Sequence, residues 1–466
     1  MSALAERIRG WELPDLENNW RLIVALPVVF FGSFWIWNRF QLWVCGQVLF
    51  DCPIYWPISI FEWREPPNIG YPNRLHLTVA LATFLIFLVA SYVVRRVRYR
   101  LWLVLVLGTV LILLTNLTHG LYLGFRRPIE GTAVDRREYY NQAERIDSPL
   151  EFFRDFNAIQ RDLLTHSHTH PPTATLLFYY LGAALRNTVL IAVFITVVAA
   201  AVSGIFLIRL FRREFDKEHA GYMVFVFLLT PAVQIYYTAT LDALILAVSL
   251  AAVVSFVEFD SKWSLVWASI FTLLASSLTF TFLYLLVVFF GYELWTRRSL
   301  RRTIAVVVVV ILTYAIISLI SGFDYLESFL LASLLENVSE EVVGWRLLWD
   351  TVNYFFTRIE NVAEIIFFLG PYLAYLFVLG LVRTRVRPNL MKLAVVAMAA
   401  IGLMWLTGAY RTGETVRGAF YVYPFLFMPI AYLVSTKDFS RFYTFTLSLL
   451  IFLQALVMQL VGNFHW

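Results

Sequence analysis

The sequence predicts an all-α polytopic membrane protein, and three observations carry that prediction. Of its 466 residues 60% are hydrophobic and 17% aromatic, with a mean hydropathy of +0.71. Charged residues make up 15%, against roughly 25% in ordinary soluble domains. The apolar residues also gather into runs, many near the length of about 20 residues that a helix needs to cross a hydrocarbon core. The net charge of +5 does not point to nucleic acid, because the arginines stand in short clusters between apolar runs, as in cytoplasmic loops.

Taken in order, candidate spans fall near 20–40, 75–94, 101–118, 188–209, 221–237, 241–257, 264–279, 280–296, 303–321, 362–382, 393–409, 419–435 and 442–462. Soft boundaries make this about 11–13 membrane-spanning helices. The clusters "RRVRYR" (95–100), "RLFRREFDK", "RRSLRR" and "RTRVRPNLMK" predict a cytoplasmic N-terminus and an outer C-terminal Trp466. Arg126 and Arg127, just beyond the third span, resist that scheme and are read as functional. Residues 1–19 are polar, lack the apolar core of a signal peptide, and read as a short cytoplasmic lead-in. Two helices then occupy 20–100, a transmembrane core 101–321, a second long loop 322–361 and C-terminal helices 362–466.

Loop length is uneven, and long loops of mixed charge are where function concentrates. The loops 119–172 and 322–361 are both extracytoplasmic in this topology. In the first, "DSPLEFFRDFNAIQRDLL" places Leu150, Phe153, Phe156 and Ile159 in a helical stripe, with Asp147 or Ser148 as cap and Pro149 in the first turn. It predicts an interfacial helix, and "DYLESFLLASLLENVSEEVVGWRLLWDTVNYFF" in the second predicts one or two more. Cys45 and Cys52, in "CGQVLFDC", form either a small disulfide loop or two buried thiols.

Ionisable residues are the ones a membrane chain has least reason to carry. "EGTAVDRREYYNQAERI" sets Asp135 three residues before Glu138, followed by Tyr139 and Tyr140. On a helix the two carboxylates share a face. One of them could serve as general base toward an acceptor hydroxyl, and a surface network with Arg136, Arg137 and Arg145 is the plainer alternative. "LLTHSHTHPPTATLLFYY" puts His166, His168 and His170 on alternate positions, one face of an extended segment. Pro171 and Pro172 then lead into an apolar helix from Thr173 to about Arg186. Metal ligation, ligand contact and plain capping are the three readings of the histidines. Asp242, at the outer start of its span, is either a helix-terminal carboxylate or a group facing a ligand.

In order and polarity, these features resemble the GT-C class of multi-spanning glycosyltransferases. They are most similar to the bacterial relatives of protein O-mannosyltransferases and aminoarabinose transferases, which take sugars from polyprenyl phosphates. The resemblance rests on the acidic residue ahead of "EYY", on "H.HTHPP", on "TPAVQIYYTATLDALILAVSL" and on "RTGETVRGAFYVYPFLFMPIAYL". It covers the chain from about 119 onward, and residues 1–100 match nothing in it. It implies an inverting transfer at the outer membrane face, with Asp135 as catalytic base and Glu138 as second choice.

The same resemblance implies that Arg417, helped by Arg411 or by Arg126 and Arg127, cradles the phosphate, with Glu414 orienting Arg417. Tyr139, Tyr140, His168, His170 and Asp242 are implied contacts to substrate. The expected partners are a polyprenyl-phosphate sugar, an acceptor glycan, lipid or protein, and membrane lipid, with no nucleic acid. No cofactor is required, and the acidic pair and histidines are compatible with a divalent metal or with none. The competing reading is a secondary transporter, for which the broken span at Pro231 and Asp242 would form a midplane site. A lipid-linked-sugar carrier without catalysis is the third.

Overall fold

The computed structural model describes residues 15–44, 74–131, 138–259, 263–337, 346–348, 350–384, 388–408, 410, 415–436 and 440–462. Cys45, Cys52, Asp135, Arg411 and Glu414 lie outside the described residues. Every regular element among the described residues is helical. In chain order the first helices are α1 (Trp20–Val44), α2 (Arg74–Arg96) and α3 (Leu101–Leu117). Short helices α4 (Tyr139–Ala143), α5 (Pro149–Arg154) and α6 (Thr165–His168) precede α7 (Pro172–Leu185) and α8 (Thr188–Phe211). Then come α9 (Lys217–Leu229), α10 (Pro231–Tyr236), α11 (Leu241–Val257), α12 (Ser264–Leu278), α13 (Leu283–Arg297) and α14 (Arg301–Ser321). The remainder are α15 (Tyr325–Asn337), α16 (Thr351–Leu369), α17 (Pro371–Arg383), α18 (Asn389–Leu406), α19 (Tyr423–Ser435) and α20 (Leu447–Val461).

Among the described residues, six helices have the length and apolarity to cross a membrane, seven if the bent pair α16 and α17 is one span, and six shorter apolar helices accompany them. Among the described residues the protein is thus all-helical, with several helices of the length and apolarity of a multi-pass membrane protein. Nearly all of α9 and α11 is buried, as expected of helices apolar on every side that form the centre of a bundle. Helix α11 packs on α8 and α12, while α3 packs on α2, α8 and α9. Helix α1 leaves Trp20, Val24, Val28, Trp35, Ile36 and Trp43 exposed at the periphery.

Small residues set the crossings, as is usual where lipid supplies no hydrophobic drive between helices. Gly380 of α17 lies against the Pro429 backbone of α19, and Gly221 of α9 against the Tyr99 carbonyl, so a methyl group at either place would meet main chain. The break between α9 and α10 follows from Pro231, which holds Thr230 extended (φ −61°, ψ 139°). The interruption orphans the Leu228 carbonyl, and Gln234 Nε2 donates to it at 2.5 Å. The same Gln234 anchors a buried polar knot among α3, α10 and α20. Thr115 Oγ1 donates to its Oε1 (2.7 Å) and Asn116 Nδ2 to its carbonyl (2.7 Å), while Gln459 Nε2 reaches that carbonyl at 3.0 Å.

The expected single span 362–382 is not one helix. Helix α16 begins at Thr351 and ends at Leu369, and the chain turns by 108° into α17. Gly370 makes the turn at φ +88°, a conformation that glycine adopts freely, and Pro371 opens α17 in the position where its missing N–H costs nothing.

The stripe expected over 150–159 is also interrupted. Helix α5 is capped by Ser148, whose Oγ accepts the Glu151 N–H, but it ends at Arg154, and a second turn runs Phe156–Ile159. Leu150 is exposed, and Phe152 joins Phe156 inside instead. These rings, with Leu176 and Phe323, form a small second core that unites the two long loops. Asn157 bridges the same joint, donating to the Asp324 carbonyl (2.8 Å) and accepting the Asp324 N–H (2.9 Å).

Candidate functional site

The two long loops, the start of α11 and the segment before α19 meet at one end of the bundle. Four side chains of the first loop come together there. Glu138 occupies the extended N-cap position of α4 (φ −74°, ψ 154°), and its Oε1 lies 3.7 Å from His166 Nε2. Tyr139 stacks on Phe178 of α7 (centroids 5.6 Å apart, planes 8° apart). It also meets His170 edge-on at 5.3 Å and His166 at 5.7 Å.

The histidines do not share one face as their alternation predicted. Thr165–His168 closes a helical turn, and helical spacing brings positions four apart together. His170 Nδ1 therefore reaches back to the His166 carbonyl at 3.1 Å. His168 departs, its Nδ1 against the Leu163 carbonyl at 3.2 Å. Burial is the main cause that holds the His170 imidazole down at about 4, opposed by the bond to His166 and reinforced by the Arg417 charge. At neutral pH this ring is uncharged, so its Nδ1–H is the donor to His166 and Nε2 keeps a lone pair. Among the described residues no group of three or more His, Cys, Asp or Glu could hold a metal ion.

Across from these groups stands an ion pair that spacing did not predict. Arg417 Nε lies 3.4 Å from Asp242 Oδ2, with both side chains largely enclosed. The Thr240 hydroxyl caps α11 by accepting the Ala243 N–H, so Asp242 is not the cap and its carboxylate turns to Arg417. The expected orienting partner, Glu414, lies outside the described residues; among the described residues, Asp242 pairs with Arg417.

Tyr410 joins them. Its hydroxyl donates to the Gly418 carbonyl (2.9 Å) and meets the Tyr421 hydroxyl at 2.7 Å. Burial raises the Tyr410 phenol well above its ordinary range, with Asp242 adding in the same direction. Ala239 and Tyr410 both adopt left-handed backbone, at φ +71° and +59°. For residues with a Cβ this costs roughly 1–2 kcal/mol each, and such strain gathers at functional sites.

The other expected residues that are described, Arg126, Arg127 and Tyr140, have partners of their own. Arg126 makes a two-pronged pair with Glu130, both bonds 3.0 Å, and Arg127 belongs to the same turn, Arg127–Glu130. Tyr140 packs beside Gly182 of α7 and faces Glu144 and Glu130. Tyr410 and Tyr421 join the cluster without a sequence signal that pointed to them, and His166 takes the place expected of His168. Only the pairing of His166 with His170, four positions apart, could have been found from sequence.

A cluster of this composition holds a cation beside a carboxylate, an acceptor imidazole and phenolic hydroxyls. It can hold an anion and orient hydroxyl groups next to it. In comparisons with protein-family models, curated proteins and solved structures, the chain has no significant match.

Proposed function

We propose that this protein is an integral membrane glycosyltransferase that moves a sugar from a polyprenyl-phosphate donor to an acceptor on the extracytoplasmic side. The observation that carries the reading is the convergence of Arg417 and Asp242 with His170, Tyr139 and Glu138 at the end of the bundle where the long loops dock. A GT-C-like fold of about 11–13 spans would draw on the six long apolar helices, the bent pair and several of the shorter apolar helices.

In this reading the acceptor hydroxyl oxygen attacks the anomeric carbon, its proton passes to the Asp135 carboxylate, and the bond from that carbon to the phosphate oxygen breaks with inversion. The lipid phosphate leaves with the electron pair. Arg417 stabilises the charge that grows on it, a role that charge-assisted hydrogen bonds serve well. Glu138 stands three residues beyond Asp135 and, through His166, helps shape the acceptor side.

The test is release of polyprenyl phosphate by purified protein in lipid, offered a panel of radiolabelled polyprenyl-phosphate sugars with and without chelator. Turnover by wild type that disappears in Asp135→Asn supports the reading, and sensitivity to chelator would add a metal to it. A secondary transporter is the second reading, favoured by the breaks at Pro231 and Gly370, since interrupted helices often flank a transport site. Uptake into vesicles without release of lipid phosphate would replace the first reading with the second.

A further inference from the structure

Helix α16 has two unlike faces. Val352, Phe355, Ile359, Val362 and Ile366 are all exposed, and their spacing of three and four places them on one side of the helix. The other side carries Tyr354, Arg358, Asn361 and Glu364, again three or four apart, and their partners are Trp405, Leu406, Tyr410 and Thr415. The Tyr354 hydroxyl donates to the Leu406 carbonyl at 2.6 Å. Arg358 donates to the carbonyls of Trp405 and Tyr410, the latter at 3.1 Å. The Asn361 amide meets the Thr415 hydroxyl at 2.5 Å, and with its nitrogen turned inward it also reaches the Tyr410 carbonyl at 3.2 Å. Glu364 Oε2 accepts the Thr415 N–H at 2.7 Å.

Asn361 and Glu364 are completely buried. Thr415 opens the short turn Thr415–Gly418 that contains Arg417. The bonds thus act on the Trp405 and Leu406 carbonyls at one end, and on the N–H and hydroxyl of Thr415 at the other, two residues before Arg417.

We propose that Arg358, Asn361 and Glu364 are positioning residues: the polar face of α16 holds Trp405, Tyr410 and Thr415 and thereby sets where the Arg417 guanidinium stands. The step to function rests on the reading of Arg417 as the cation that holds substrate phosphate. Misplacement of such a group by about 1 Å can cost on the order of a hundredfold in rate, so a clamp on its backbone is a second means of setting activity. The apolar face of the same helix is free to meet lipid, and it supplies an internal control.

The experiment uses the full chain in lipid nanodiscs with two readouts. The first is amide hydrogen exchange of the peptide containing Thr415, compared for wild type, Asn361→Ala, Glu364→Ala, Glu364→Gln and Phe355→Ala. Exchange at Thr415 should rise at least about tenfold in Glu364→Ala, which removes the acceptor of its N–H, and by less in Asn361→Ala, which loosens the residue through its hydroxyl. Glu364→Gln, which keeps an acceptor, should restore most of the protection, and Phe355→Ala should match wild type. The Gln variant and Asn361→Ala decide the matter if Glu364→Ala does not fold.

The second readout is binding of a polyprenyl phosphate. Glu364→Ala and Arg417→Ala should each weaken it about tenfold, and the double variant should be no weaker than Arg417→Ala alone, because residues acting as a unit are not additive. Unchanged exchange at Thr415 in Glu364→Ala overturns the clamp, and multiplicative losses in the double variant show that it does not act through Arg417. Failure of wild type to bind polyprenyl phosphate would instead sink the transferase reading, and the exchange data alone would then decide the clamp.

Discussion

Arg417 Nε and Asp242 Oδ2 stand 3.4 Å apart, joining the segment that precedes α19 to the first turn of α11. Each residue belongs to an element the other never touches in sequence, and each is enclosed enough that loss of its partner is felt. Removing one side of an enclosed ion pair takes away a charge that the other side was packed against. Arg417→Ala should therefore weaken lipid-phosphate binding by about ten- to a hundredfold, the equivalent of about 1.5–3 kcal/mol for a charged hydrogen bond. Arg417→Lys should recover only part of that, because it keeps the charge and loses the planar fork. A double-mutant cycle with Asp242→Asn, read in thermal unfolding and in binding, should show coupling of about 0.5–3 kcal/mol. Strict additivity would mean that the pair has no energetic consequence.

His170 makes stability depend on pH in a defined direction. Its imidazole is held at about 4 against an ordinary 6.5, so between those values the unfolded chain binds the proton more readily. Stability from this group is complete above about pH 6.5 and is lost as pH falls toward about 4, with a slope below about 1.4 kcal/mol per pH unit. Arg417, His166, His168, Glu138, Tyr139 and Asp242 surround the ring or its immediate neighbours. A pH series of melting temperatures should show this dependence in wild type, and His170→Gln should flatten it between pH 4 and 6.5.

The two acidic residues of the first loop should separate by role. Asp135→Asn should reduce turnover by about 10²–10⁴, the range a positioned general base contributes, while donor binding stays near wild type. Glu138→Gln should act more weakly, since Glu138 is engaged with His166 and acts through that ring. A larger loss in Glu138→Gln than in Asp135→Asn would transfer the base role to Glu138.

The joint between the long loops can be tested without any substrate. Asn157→Ala removes both the donor to the Asp324 carbonyl and the acceptor for its N–H. At about 0.5–1.5 kcal/mol per hydrogen bond, the change should lower the melting temperature and raise hydrogen exchange at 323–328 and in α5 together. Exchange that rises in one loop only would show that the two do not fold as a unit.

What the sequence by itself determined are the features that depend on composition and on near neighbours. Long apolar runs specify helices of membrane-crossing length, because hydrocarbon must meet an apolar surface whatever the neighbours are. Thr230–Pro231 specifies the break between α9 and α10, and Pro171–Pro172 the start of α7, because a proline ring constrains its own backbone and that of the residue before it. The tertiary structure decided which charges meet. Asp242 and Arg417 are paired across 175 positions, His168 leaves its neighbours because one local helical turn replaces an extended strand, and the polar face of α16 is explained only by the loop it holds. Those outcomes depend on the packing of whole helices, through which small residues such as Gly380 and the turn at Gly370 set distances that no local pattern of hydropathy encodes.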